Sequence, residues 1–171
     1  RPAAVAVVNP QRGSVARELA GVGVAFMLAL AVDGAEARDT LIDKWSDLVA
    51  LGTIADVAPM IGSNRALCSL GMERIRRMER PGLKALAEEC KVTPDQVSSR
   101  AIAFSMAPRL NAAGRMDSAS DAVELMLTQN RHRAEELTKR LCEMNRQRQA
   151  AENMLLEQIA SELDRERRSS G

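Results

Sequence analysis

The sequence predicts a mostly helical chain with one or two short strands, and three observations carry that prediction. Of 171 residues, 46% are hydrophobic but only 2% aromatic, with two Phe, one Trp and no Tyr. The interior must therefore be built from Ala, Leu, Val, Ile and nine Met, which favours helices over a β-sandwich. The stretch from Arg131 to about Arg168 contains neither Gly nor Pro. One run only, Ala4 to Val8, has the apolar, β-branched character of a buried strand, and Asn9-Pro10 stops it.

The elements follow in order. Ala16 to Val32 reads as a helix ended by Asp33-Gly34, with Gly21 and Gly23 marking a closely packed face. A second helix covers about Ala37 to Ala55, apolar on several sides and so buried, with a break expected near Ser46. Ser46 or Asp47 would cap the fresh start. After the connector Ala58-Pro59-Met60, Asn64 caps a helix running to about Met78. Arg74, Arg76, Arg77 and Arg80 lie largely off its apolar face and read as solvated. Leu83 to Glu89 forms a short helix after Arg80-Pro81-Gly82. Thr93-Pro94-Asp95-Gln96 carries a capping hydroxyl, an early Pro and a Gln three residues on, the signature of a helix start. Ala101 to Met106 reads as a short extended run. Asp117 or Ser118 starts a helix through Leu127, and Thr128-Gln129-Asn130 interrupts it. From Arg131, Leu137, Leu141, Met144, Ala151, Leu155, Ile159 and Leu163 trace one stripe on a helix of unusual length, which implies a coiled-coil arm or a rigid connector.

Composition narrows the function. The net charge of +1 makes no overall electrostatic demand for nucleic acid, so any such binding is local. The excess of Arg (20) over Lys (4) fits phosphate recognition and genome base composition equally well. Cys68, Cys90 and Cys142 match no disulfide or metal spacing, and a reducing, cytoplasmic setting is the expectation. The longest apolar stretch, Val22 to Val32, is too short to span a bilayer, and no signal peptide is expected. The chain begins without Met and both ends read as cut from something larger.

The run Ala107-Pro108-Arg109-Leu110-Asn111-Ala112-Ala113-Gly114-Arg115 is read as a compact loop whose polar tips are cations and a carboxamide. Two guanidinium forks and an amide suit a phosphate chain. Arginines of a helix-entry loop paired with surface carboxylates account for the same residues, and the chemistry of the loop alone leaves both open.

Three segments, taken together, resemble one family. They are Ala6-Val7-Val8-Asn9-Pro10 with Leu19-Ala20-Gly21-Val22-Gly23-Val24-Ala25-Phe26; Asp47 to Val57 (Asp-Leu-Val-Ala-Leu-Gly-Thr-Ile-Ala-Asp-Val) continuing to Gly62-Ser63-Asn64-Arg65; and the arginine run preceded by Ile102-Ala103-Phe104. In order and spacing they are similar to the RecJ-type exonucleases of the DHH phosphoesterase superfamily. The resemblance implies an α/β fold, predominantly helical here, with 1–130 the C-terminal part of a DHH catalytic domain whose parallel sheet lies largely upstream. Residues 131–171 would be a long connector helix toward a second core domain.

The resemblance also implies an activity: 5′-to-3′ removal of nucleotides from single-stranded DNA in bacterial repair and recombination, with Mn²⁺ or Mg²⁺ held by Asp and His clusters. Carried onto this chain, Asp56 would be one metal-site carboxylate, with burial after an apolar helix as the physical argument for a cation partner. A helix-end Asp bonding local amides is the plain alternative. Asp47 reads as a cap. Arg109, Asn111 and Arg115 would contact DNA, with Arg109 favoured, and Arg65 is a weaker candidate that could simply brace the loop. The Asp-His-His motif expected just before Val-Asn-Pro and the earlier acidic motifs are not in these residues. His132, expected to be an exposed helix residue, does not replace them. Ser14-Val15-Ala16-Arg17 departs from the expected aromatic or Pro approach. The chain is thus expected to be inactive alone and to need single-stranded DNA and the remainder of its polypeptide as partners, with no membrane. The alternatives are a helical nucleic-acid-binding or dimerisation module, or another DHH phosphoesterase acting on short oligonucleotides or cyclic dinucleotides.

Overall fold

The computed structural model describes residues 7, 9–10, 17–116 and 119–169. The helices are α1 (Gly21–Asp33), α2 (Arg38–Ala55), α3 (Gly62–Arg76), α4 (Pro81–Glu89), α5 (Ser99–Ala101), α6 (Ala107–Met116), α7 (Ser120–Leu127) and α8 (Arg131–Ser169). Short 3₁₀ turns at Ala35–Ala37 and Pro94–Gln96 link neighbours, and a π turn, Ile102–Met106, joins α5 to α6. No strand occurs among the described residues. The strand expected at Ala4–Val8 lies outside them, apart from Val7, which has no regular structure.

The helices end where local chemistry stops them. Gly34, at φ +86°, closes α1. Residues with side chains in the left-handed region, Val57, Met78 and Lys91, follow α2, α3 and α4. At the end of α2 the Val57 N–H donates to the Ile54 carbonyl at 3.1 Å and the Ala58 N–H to that of Thr53 at 3.2 Å. This is the Schellman pattern, with Val where Gly is usual. Pro81 opens α4, where its missing N–H costs nothing.

Three apolar clusters hold the bundle. Ala50, Leu51 and Ile54 of α2 pack with Cys68 and Ile75 of α3, Leu83 and Leu86 of α4, and Ile102 and Met106. Ala112 and Ala113 pack with Leu125, Ala134, Leu137, Leu141 and Met144, seating α6 and α7 on the first half of α8. Phe26, Leu41, Val49 and Leu67 tie α1 to α2 and α3. Where α2 crosses α3, a Cβ on Gly71 would stand 2.0 Å from the Ser46 carbonyl oxygen, so only Gly permits the approach.

The structure departs from several of these expectations. The first helix begins at Gly21, not Ala16; residues 17 and 18 form a turn and 11–16 lie outside the described residues. α2 runs unbroken through Ser46, because tertiary packing buries Ser46 and Asp47 and outweighs their capping preference. Asp47 is an ion-pair partner, not a cap: the Arg80 Nε and Nη2 donate to its two oxygens at 2.7 and 3.1 Å. Arg80 also donates to the Lys44 and Met126 carbonyls at 2.9 and 3.0 Å, so one guanidinium joins α2, α4 and α7. Arg74 is likewise not merely solvated, bridging Asp43 and Glu79 at 2.9 and 3.0 Å. Arg76 reaches the Val97 carbonyl, and of the four only Arg77 is exposed. Asn64 sits inside the first turn of α3 and its amide donates back to the Pro59 and Glu18 carbonyls, fixing the entry chain instead of capping. Asp117 and Ser118 lie outside the described residues.

Candidate functional site

The arginine run is helical, not a loop. Residues 99–116 form one nearly continuous helix, and the extended run expected at Ala101–Met106 is its π turn. The Ser98 hydroxyl accepts from the Ala101 N–H at 3.2 Å to start it. Pro108 explains the irregularity: inside a helix its ring conflicts with the carbonyl four residues earlier, that of Phe104, and a widened turn relieves the conflict.

Helical geometry separates the candidate positions. At about 100° per residue, Asn111 and Arg115 stand one turn apart on one side of α6, and Arg109 lies about 200° from Asn111. Asn111 is exposed, while Ala112 and Ala113 are fully buried against α7 and α8. Arg109 is half-buried: its Nη1 donates to the Ser105 carbonyl, and its buried Nε has no protein partner. The Cys90 thiol donates to the same Ser105 carbonyl at 3.3 Å. Burial pushes the Cys90 thiol up to about 11 and raises Cys142, with the neighbouring Arg109 cation opposing both. Arg109 therefore braces the junction of α4, α6 and α8, the role that the sequence allows for Arg65. Arg65 is exposed in the first turn of α3, and no described carboxylate pairs with it.

Asp56 caps the C-terminal end of α2 and its side chain is exposed. Asp56 therefore carries no burial cost for a cation to relieve, contrary to expectation: the Schellman turn takes it out of the core into water. The Mn²⁺ or Mg²⁺ site that the resemblance implies is not complete within the described residues. Among the described residues no group of three or more His, Cys, Asp or Glu side chains is placed to hold an ion, and hard cations such as Mg²⁺ and Mn²⁺ call for about six oxygens. His132 is exposed, with Nδ1 3.3 Å from Glu136, as expected of a surface position.

Immediately beyond Asp56 is a groove of about 680 Å³ lined by Val57, Ala58, Met60, Arg100, Ala103 and Phe104, among others. Arg65, Arg109 and Asn111 are not among its walls. Sequence reasoning passed over Arg100 and used Phe104 only as part of a motif. A Phe set between Ala103 and Ser105, four residues after an Arg, was the available signal.

No family model matches the sequence. The single-stranded-DNA-specific exonuclease RecJ of Haemophilus influenzae is 45% identical over 172 aligned positions, covering 92% of this chain and 30% of that protein. RecJ of Bacillus subtilis is 41% identical over 147, covering 84% and 18%. Among solved structures, RecJ of Thermus thermophilus in complex with Mg²⁺ superposes with a TM-score of 0.75 at 37% identity, covering 86% of this chain and 23% of that one. Exonuclease RecJ bound to manganese gives 0.76 at 38% identity, covering 88% and 38%. The chain thus spans less than a third of the length of those two curated relatives. Over nearly its whole length, in sequence and in fold together, the chain is similar to one part of RecJ.

Proposed function

We propose that these residues are part of a metal-dependent 5′-to-3′ exonuclease that degrades single-stranded DNA in repair and recombination in the bacterial cytoplasm. The observation that carries this reading is the agreement with RecJ over nearly the whole chain, in sequence and fold together. In this reading 1–130 is the C-terminal part of the DHH catalytic domain and 131–171 the connector toward a second core domain. No described helix is long and apolar enough to cross a membrane.

Asp56 would supply one carboxylate to a Mn²⁺ or Mg²⁺ site whose other ligands lie outside the described residues. Its position supports that role. A carboxylate at the negative C-terminal end of a helix is electrostatically misplaced until a cation joins it. Asn111, Arg115 and Arg65 would meet the DNA backbone, and Arg109 would act from behind, holding the α6 end of that surface.

The test is hydrolysis of 5′-labelled single-stranded DNA with Mn²⁺ by the full-length protein. Asp56→Asn is expected to lower the rate by roughly 100-fold or more, as loss of a metal-ligand carboxylate does, and the present chain alone to be inactive. Unchanged activity in the variant would remove Asp56 from the site. Degradation from the 5′ end by the chain alone would refute the division of the catalytic domain.

A further inference from the structure

Two irregularities meet in the groove beside Asp56. Phe26 is buried in the core, but Phe104, the second phenylalanine, is 78% exposed on the π turn. Val57 is 85% exposed and held at φ +55°, a conformation that a β-branched residue avoids. Both residues line the same groove.

Among the described residues, the groove wall holds one cation and no carboxylate. Arg100 precedes Phe104 by four residues, and no described carboxylate pairs with its exposed guanidinium. A ring face and a guanidinium a helical turn apart match the two halves of a nucleotide, the base stacking on the ring and the phosphate accepting from the fork. A folded double helix hides its base faces; a single strand offers them. We propose that Phe104 is a stacking platform for one unpaired nucleobase of single-stranded DNA, with Arg100 on the adjoining phosphate. This rests on the exonuclease reading and adds to it the place where a base, as distinct from the backbone, is held.

The test uses the full-length protein without divalent metal and compares binding of a dT oligonucleotide with one carrying abasic sites. Phe104→Ala is expected to weaken dT binding roughly 5- to 150-fold, the range for loss of one stacked base, and to leave abasic binding unchanged. Phe104→Trp is expected to retain affinity, and Phe104→Leu, apolar but without a π face, to lose it as Ala does. Arg100→Gln is expected to weaken both oligonucleotides and to flatten the salt dependence. Equal loss on both DNAs in Phe104→Ala, or full affinity in Phe104→Leu, would overturn the stacking role and assign the ring to packing against another part of the polypeptide. A wild-type protein that binds no single-stranded DNA would refute the exonuclease reading itself, a separate outcome.

Discussion

At the scale of single residues, the structure separates side chains that adjacency in sequence had grouped. Arg109 is committed to the Ser105 carbonyl and the cysteine pair, and Asn111 is exposed on the other side of the same helix. Asp56 sits in water at the wrong end of a helix for its charge. Asp56→Asn should therefore raise the melting temperature of the metal-free protein by about 1–3 °C while lowering activity; a lower melting temperature would show that the carboxylate holds the turn. The thiols give a pH prediction. Cys90 is raised from 9.0 to about 11 by burial, so its folded state keeps the proton that the unfolded state releases. A group raised in this way leaves stability unaffected below pH 9 and erodes it between pH 9 and about 11. Cys68 and Cys142 are shifted in the same direction, also by burial. Urea midpoints should be level up to pH 9 and then fall, and Cys90→Ala should shrink that fall.

At the scale of elements, one ion pair and one small residue fix the packing of the helices. Among the described residues, the Arg80–Asp47 pair is the most buried of the bridges between elements, with side chains 13% and 9% exposed. Removing one partner strands the other charge, so Arg80→Ala should cost about 3–5 kcal/mol by urea denaturation. Arg80→Ala combined with Asp47→Ala should cost less than the sum of the singles. By contrast, the exposed Arg133–Glu124 pair joins α7 to α8 with two short bonds, 2.6 and 2.8 Å, that water and salt weaken. Periodicity and caps placed α2, α3, α4 and α8 within a few residues. They misread 101–115 as an extended run and a loop, where the chain stays helical through Pro108 by way of the π turn.

At the scale of the whole molecule, α8 divides into two halves. Up to Met144 its stripe is buried against α4, α6 and α7; Leu155, Ile159 and Leu163, on the same stripe, are 56%, 44% and 54% exposed. The second half therefore contributes little to this fold. Truncating the chain after Gln149 should change stability by less than about 0.5 kcal/mol, and a larger loss would mean that the exposed stripe packs on itself or on a second copy.

The sequence by itself determined the helical class, the length of α8 and the resemblance to RecJ, because these depend on composition, periodicity and motif order along the chain. Tertiary structure alone decided which polar residues are structural and which face solvent. Asp47 became a buried partner and Asp56 an exposed carboxylate through the course of one helix and its Schellman turn. Phe104 reached the groove because a proline four residues later opened the helix beneath it. Such outcomes depend on which surfaces meet across dozens of residues, and no local pattern in the chain contains that information.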